Sequence, residues 1–198
     1  ATPYERTDPN LKDADGFNAE LGYRGSAGNL QWDVNLFYLQ YNDRFGTLTT
    51  EQNDTVFLLR TNIGNARTAG TELYVEYTFP FGRHTRLSAF TSTALMDARY
   101  SDATVRNGSE NVDISGNRVE SAPSLISRNG LTLRYRGHSL TVLYSYTGET
   151  YADPQNTVAP SATGSVGLVP AYQLVDLNAS LYLTSQLHLR ASVNNLFN

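Results

Sequence analysis

The chain has 198 residues, 40% hydrophobic and 17% charged, with 13 Tyr, 8 Phe, 1 Trp and a formal net charge of −4. No run approaches the roughly eighteen consecutive apolar residues of a transmembrane helix. The absence of cysteine removes disulfide frameworks and thiolate metal sites, and a pI of about 5.3 argues against nucleic acid, which selects a basic face. None of this touches a membrane barrel, whose strands carry apolar residues only at every second position and can keep mean hydropathy as low as the −0.38 found here. The opening Ala1-Thr2-Pro3-Tyr4-Glu5-Arg6 lacks the basic-then-apolar pattern of a signal peptide, as expected of an internal fragment.

In chain order, residues 1–15 read as an extended loop. Phe17, Ala19, Leu21 and Tyr23 then alternate with Asn18, Glu20, Gly22 and Arg24, and after a turn at 25–29 come Trp32, Val34, Leu36 and Tyr38, opposite Gln31, Asp33 and Asn35. A polar connection is expected from about Asn42 to Ala66. Leu73, Val75, Tyr77 and Phe79 face away from Glu72, Tyr74, Glu76 and Thr78, and Pro80 to His84 reverses the chain. Leu87 to Arg99 reads as a fourth strand with poor alternation, in which Ala94-Leu95-Met96 fits either face. A second polar connection runs from about Tyr100 to Pro123. Leu131, Leu133 and Tyr135 mark the fifth strand, Arg136-Gly137-His138 a tight turn, and Leu140, Val142, Tyr144 and Tyr146 the sixth. A third connection, about Asp153 to Pro170, leads to a closing hairpin. There Val175, Leu177, Ala179, Leu181 and Leu183 alternate with Asp176, Asn178 and Ser180. Beyond Thr184-Ser185-Gln186, Leu187, Leu189, Ala191 and Val193 alternate with His188, Arg190, Ser192 and Asn194.

Period-two alternation identifies strands, and runs of about ten residues approach the length that crosses a bilayer at a tilt. The connections alternate short and long. That asymmetry belongs to outer-membrane barrels, with brief periplasmic turns and long extracellular loops. The fold class is therefore all-β, a transmembrane antiparallel meander of about eight strands from a larger barrel, in the bacterial outer membrane with lipid as its surroundings. The residues expected against lipid are Trp32, Val34, Leu36, Leu73, Val75, Tyr77, Leu131, Leu133, Leu140, Val142, Val175, Leu177, Leu181, Leu187, Leu189 and Val193. Aromatics fall in two bands, as interfacial rings do: Tyr23, Trp32, Tyr77, Phe79, Tyr135 and Tyr182 near the short turns, and Tyr38, Tyr100, Tyr146 and Tyr151 near the long loops.

Several stretches resemble TonB-dependent outer-membrane receptors, within them the ferric dicitrate type. They are Asn62-Ile63-Gly64-Asn65-Ala66-Arg67 followed by Gly70-Thr71-Glu72-Leu73; Arg128-Asn129-Gly130-Leu131; Tyr144 to Asp153 with Asn156-Thr157; Gly167 to Tyr172; and Val193-Asn194-Asn195-Leu196-Phe197. The resemblance covers the chain from about Gly16 onward. It implies a receptor, not an enzyme, with twenty-two strands around an N-terminal plug. Residues 1–198 would then be a partial barrel domain lacking the plug and the final strands. The implied partners are a ferric chelate as transported ligand and the TonB complex, reached through the missing plug; no cofactor is implied.

An anionic ferric polycarboxylate favours guanidinium forks, so Arg60, Arg67, Arg118 and Arg128, in or beside the extracellular loops, are the ligand candidates, with Arg128 at lumen parity. Gln155 and Asn156 are polar candidates in the third loop. The resemblance fixes no ligand residue at a particular position. His84, His138 and His188 lie at separate short turns and are not expected to converge on a metal or catalytic centre. Asp102, Glu110, Asp113 and Asp153 lack calcium-loop spacing and read as solvated charge. Two other readings stand beside the receptor: a complete eight-stranded barrel with a structural or adhesive role, and a soluble β-sandwich that binds carbohydrate.

Overall fold

The computed structural model describes residues 4–52 and 55–197, so Ala1-Thr2-Pro3 of the expected leading loop lie outside it. Among the described residues twelve strands follow one another: β1 (Glu5–Thr7), β2 (Asp15–Ala27), β3 (Leu30–Gln52), β4 (Thr55–Phe81), β5 (Thr85–Asn107), β6 (Glu110–Asp113), β7 (Leu125–Tyr135), β8 (His138–Thr147), β9 (Thr150–Tyr151), β10 (Leu168–Val169), β11 (Tyr172–Tyr182) and β12 (His188–Val193). The sheet runs β12-β11-β8-β7-β5-β4-β3-β2, with β6 attached to β5 and β9–β10 a separate pair. These eight strands are the eight expected, and each pairs antiparallel with its neighbour in sequence order. The exception to antiparallel pairing is β1, which lies parallel to β4 with Arg6 opposite Leu59 where a loop was expected.

Register puts the apolar residues on one surface. Leu131 lies between Ala89 and Val142, Leu133 between Leu87 and Leu140, Val75 between Trp32 and Thr91, and Leu177 between Val142 and Val193. Among the described residues no second sheet covers them: Leu73 is 37% exposed, Leu131 52% and Leu189 51%, which overturns the sandwich reading. Among the described residues no pairing joins β2 to β12, so the sheet is open and not an eight-stranded closed barrel. Aromatic pairs form at both ends of this surface. Tyr23 and Trp32 (6.1 Å) and Tyr77 and Phe79 (4.4 Å) stand near the short turns, and Phe17 with Tyr38 (5.8 Å) toward the long connections.

Some expectations need correction. Of the expected connection 42–66, Asn53 and Asp54 lie outside the described residues, and the rest is not a loop, because β3 and β4 continue to Gln52 and from Thr55. Thr47, Thr49, Thr50 and Val56 are β-branched and suit a pleated surface, polar or not. Leu187 is not in a strand: it closes the last turn, where its carbonyl accepts the Leu183 N–H at 2.9 Å, and β12 is only 6 residues long. Tyr100 leaves the aromatic band, being 2% exposed on the other surface with Ala66, Ala103 and Ile114.

The hairpin is irregular where the Asn62–Arg67 motif falls. Register shifts separate Tyr41 from Arg44 and Asn65 from Ala66. Gly64 has φ +132, and a Cβ there would collide with the Asp102 carbonyl. The two asparagines satisfy the freed backbone: Asn65 Oδ1 accepts the Asp43 N–H at 2.9 Å, while Asn62 Nδ2 donates to the carbonyls of Asp43 (2.7 Å) and Lys12 (2.9 Å). The motif is thus a stitched bulge, of the kind that bends a strand.

Candidate functional site

Because side chains alternate across a strand, the surface opposite the leucines gathers the polar residues. Arg24 faces Asp33, Asn35 faces Glu72, Tyr74 faces Ser92, and Arg128 stands between Ser92 and Ser145. These side chains line a groove of about 740 Å³ that holds Glu20, Arg24, Asp33, Glu72 and Arg128. Arg24 and Asp33 form an exposed ion pair at 3.6 Å, leaving Glu20 and Glu72 against Arg128. This part of the wall is polar without being an anion trap.

At the long-connection end the same surface is closed by a small core of Ala66, Tyr100, Ala103 and Ile114, with Val105 and Val119 against it. Tyr100 donates its hydroxyl to Glu120 at 2.6 Å; burial, and then that bond, push its phenol pKa up. Arg44 lies over the Tyr100 ring and pairs with Glu120 at 3.7 Å. The Ser115 hydroxyl and N–H hold the Asp113 carboxyl below its ordinary range, as the Thr61 hydroxyl and Asn10 N–H do for Asp8.

The third connection is organised by a residue expected to be solvated. Asp153 is 6% exposed. Its Oδ1 accepts the Thr157 hydroxyl at 3.0 Å and the Gln155 N–H at 3.1 Å, and its Oδ2 the Gly167 N–H at 3.1 Å. Asn156 pairs with the Arg118 backbone, accepting its N–H at 2.7 Å and donating to its carbonyl at 2.8 Å. Gln155 accepts from Asn107 at 3.0 Å. Both polar candidates therefore tie the second connection to the third.

The four candidate arginines do not converge. Arg128 is in the groove. Arg60 is exposed on β4 opposite Thr47 and Thr7. Arg67 and Arg118 both oppose Arg99, at the far end of the apolar surface. Two histidines share Tyr182 as a neighbour: His138 Nδ1 accepts the Tyr182 N–H at 3.2 Å, and the His188 ring stacks on Tyr182 at 4.1 Å while bonding Ser180 at 2.6 Å. They lock the last short turns together. Among the described residues no group of three or more His, Asp or Glu is placed to hold a metal ion.

A twisted meander, apolar on one surface and polar on the other, with terse reversals at one end and long connections at the other, is the wall of a β-barrel. The chain belongs to the TonB-dependent receptors: the family model described as TonB dependent receptor-like, beta-barrel, matches residues 1–196. Among solved structures, the unliganded ferric citrate transporter FecA superposes with TM-score 0.70 at 24% identity, over 91% of this chain and 26% of its own. The copper transporter OprC gives 0.66 at 18% identity (96% and 26%). The ferric yersiniabactin uptake receptor FyuA from Yersinia pestis gives 0.64 at 16% identity (93% and 25%). The chain spans about a quarter of these proteins, and the likeness is one of fold.

Proposed function

We propose that this chain is part of an outer-membrane receptor that binds and imports an iron chelate, ferric citrate or a similar anionic siderophore. Lipid surrounds its wall, and TonB acts through a plug outside these residues. Membership of the receptor family supports the transport reading, and the Tyr144–Asp153 and Gly167–Tyr172 resemblance supports the anionic cargo. The observation that carries the wall's part in it is the two-sided sheet, with Arg128 in a polar groove and the leucines on the reverse. Arg128 lines the passage and Arg60 stands at its long-connection end; Arg67 and Arg118, on the other surface, have no part in it. The test uses the full-length receptor gene. Deletion abolishes growth on ferric citrate as sole iron source, and Arg128→Ala lowers uptake about tenfold, the worth of one charge-assisted hydrogen bond. Unchanged growth after deletion would remove the cargo and leave the barrel standing.

A further inference from the structure

The apolar surface ends in a row of arginines. Along β4 the side chains beyond Leu73 on this surface are Thr71, Ala69 and Arg67; along β5, beyond Thr93, they are Leu95, Asp97 and Arg99. Arg67 is the register partner of Arg99, and Arg99 lies directly opposite Arg118 across an isolated bridge. Directly opposed residues share a face, with Cβ atoms about 5 Å apart. Three guanidinium groups thus stand abreast on three adjacent segments. Like charges so opposed destabilise a sheet, and one carboxylate meets the row. Asp97 accepts the Arg99 Nε at 2.8 and 3.0 Å, while Arg99 Nη1 donates to the Gly116 carbonyl at 2.9 Å. Among the described residues, the side chains of Arg67 and Arg118 make no hydrogen bond or ion pair. Two positive charges are left unmatched.

The height of the row is informative. Arg67 is ten residues along β4 from Tyr77. At about 3.3 Å per residue and a tilt near 45° that is a climb of roughly 23 Å, close to the apolar band of about 25 Å in membrane barrels. Tyr77 and Phe79 mark one edge of the band and the arginines the other. Just inside the row, Leu36 and Leu95 are exposed, where acyl chains would run.

We propose that Arg67, Arg99 and Arg118 form a site for a phosphorylated lipid headgroup in the leaflet facing the long connections. Guanidinium forks match phosphate oxygens two at a time, and an anion held between the three relieves their mutual repulsion. The site rests on the reading that the leucine surface meets hydrocarbon.

The experiment takes the full-length receptor in detergent and measures retention of lipid A carrying both phosphates, the same lipid with its phosphates removed, and inorganic phosphate. The phosphorylated lipid is expected to bind at least tenfold more tightly than the stripped one, and inorganic phosphate not to displace it. Arg67→Ala and Arg118→Ala each weaken retention roughly fivefold, the value of one arginine at a charged lipid surface. Arg83→Ala, which removes the same charge at a short turn, leaves it unchanged. Asp97→Asn, which releases Arg99, strengthens it. Equal retention of the two lipids, or wild-type retention by Arg67→Ala and Arg118→Ala together, overturns the site, and displacement by inorganic phosphate assigns the row to a free anion. Insertion of the receptor into phosphatidylcholine vesicles separates the two levels: failure to insert overturns the membrane reading as well, whereas insertion without discrimination between the lipids overturns the headgroup site alone.

Discussion

Asp153 holds its connection together by accepting from donors that lie up to fourteen residues away, Gly167 being the farthest. Removing a buried acceptor strands those donors, at a cost of about 1–3 kcal/mol. Asp153→Ala in the full-length receptor should therefore make the 153–167 segment a preferred site of limited proteolysis while the strands stay resistant; a wild-type digest would show that the carboxylate is dispensable. Nothing in the sequence distinguishes this aspartate from Asp102 or Glu110, since its partners, the Thr157 hydroxyl and the Gln155 and Gly167 N–H groups, are brought to it only by the folded loop. Asn156 was legible as a polar residue in a functional connection, but its bond to the Arg118 backbone was not. A mutation at Asn156 that weakened uptake would report on loop geometry before it reported on ligand contact.

At the scale of the strand, the polar surface is built around glycines with rings laid over them. A Cβ on Gly130 would run into the Phe90 ring, and one on Gly70 into the Phe37 ring. Gly130→Val should lower stability by about 1–3 kcal/mol, the usual cost of overpacking, seen as a lower urea midpoint of the refolded receptor. Phe90→Leu in the same molecule should restore at least half of the loss. An unmoved midpoint in the single variant would mean that the ring swings away freely. β5 also explains the poor alternation read there. Its outward positions include Thr91 and Thr93, whose hydroxyls bond one another at 3.1 Å, with Thr93 bonding Ser127 at 2.8 Å. Its inward positions include Phe90, Ala94 and Met96. Pattern reading expects polar residues inward, and here satisfied hydroxyls stand outward while glycine pockets draw the rings in. In β11 and in the Leu73–Phe79 part of β4, where no such exchange occurs, the outward face was legible from alternation, while the register awaited the structure.

Across the whole molecule, the eight strands of the meander followed from period-two alternation. The extension of β3 and β4 did not, because Val56-Phe57-Leu58-Leu59 is an unbroken apolar run with no alternation, and Thr49 and Thr50 across from it, with Thr47 beside them, have the composition of a loop. The sheet also has two unpaired edges, β2 and β12 among the described residues, and an exposed edge is a template for further pairing. Residues 1–198 expressed alone should consequently aggregate on refolding in detergent. A monomer whose gel mobility changes on heating would show instead that the two edges close on each other.

A barrel wall requires that odd-numbered residues of β7 meet hydrocarbon and even-numbered ones water. Since this segment has no cysteine, single cysteines at 131–134 can carry spin labels in the intact receptor in bilayers. Relaxation by oxygen should peak at Leu131 and Leu133, and relaxation by a water-soluble nickel complex at Thr132 and Arg134. Equal access of the nickel complex to both sets, or the absence of any two-residue period, would contradict the account.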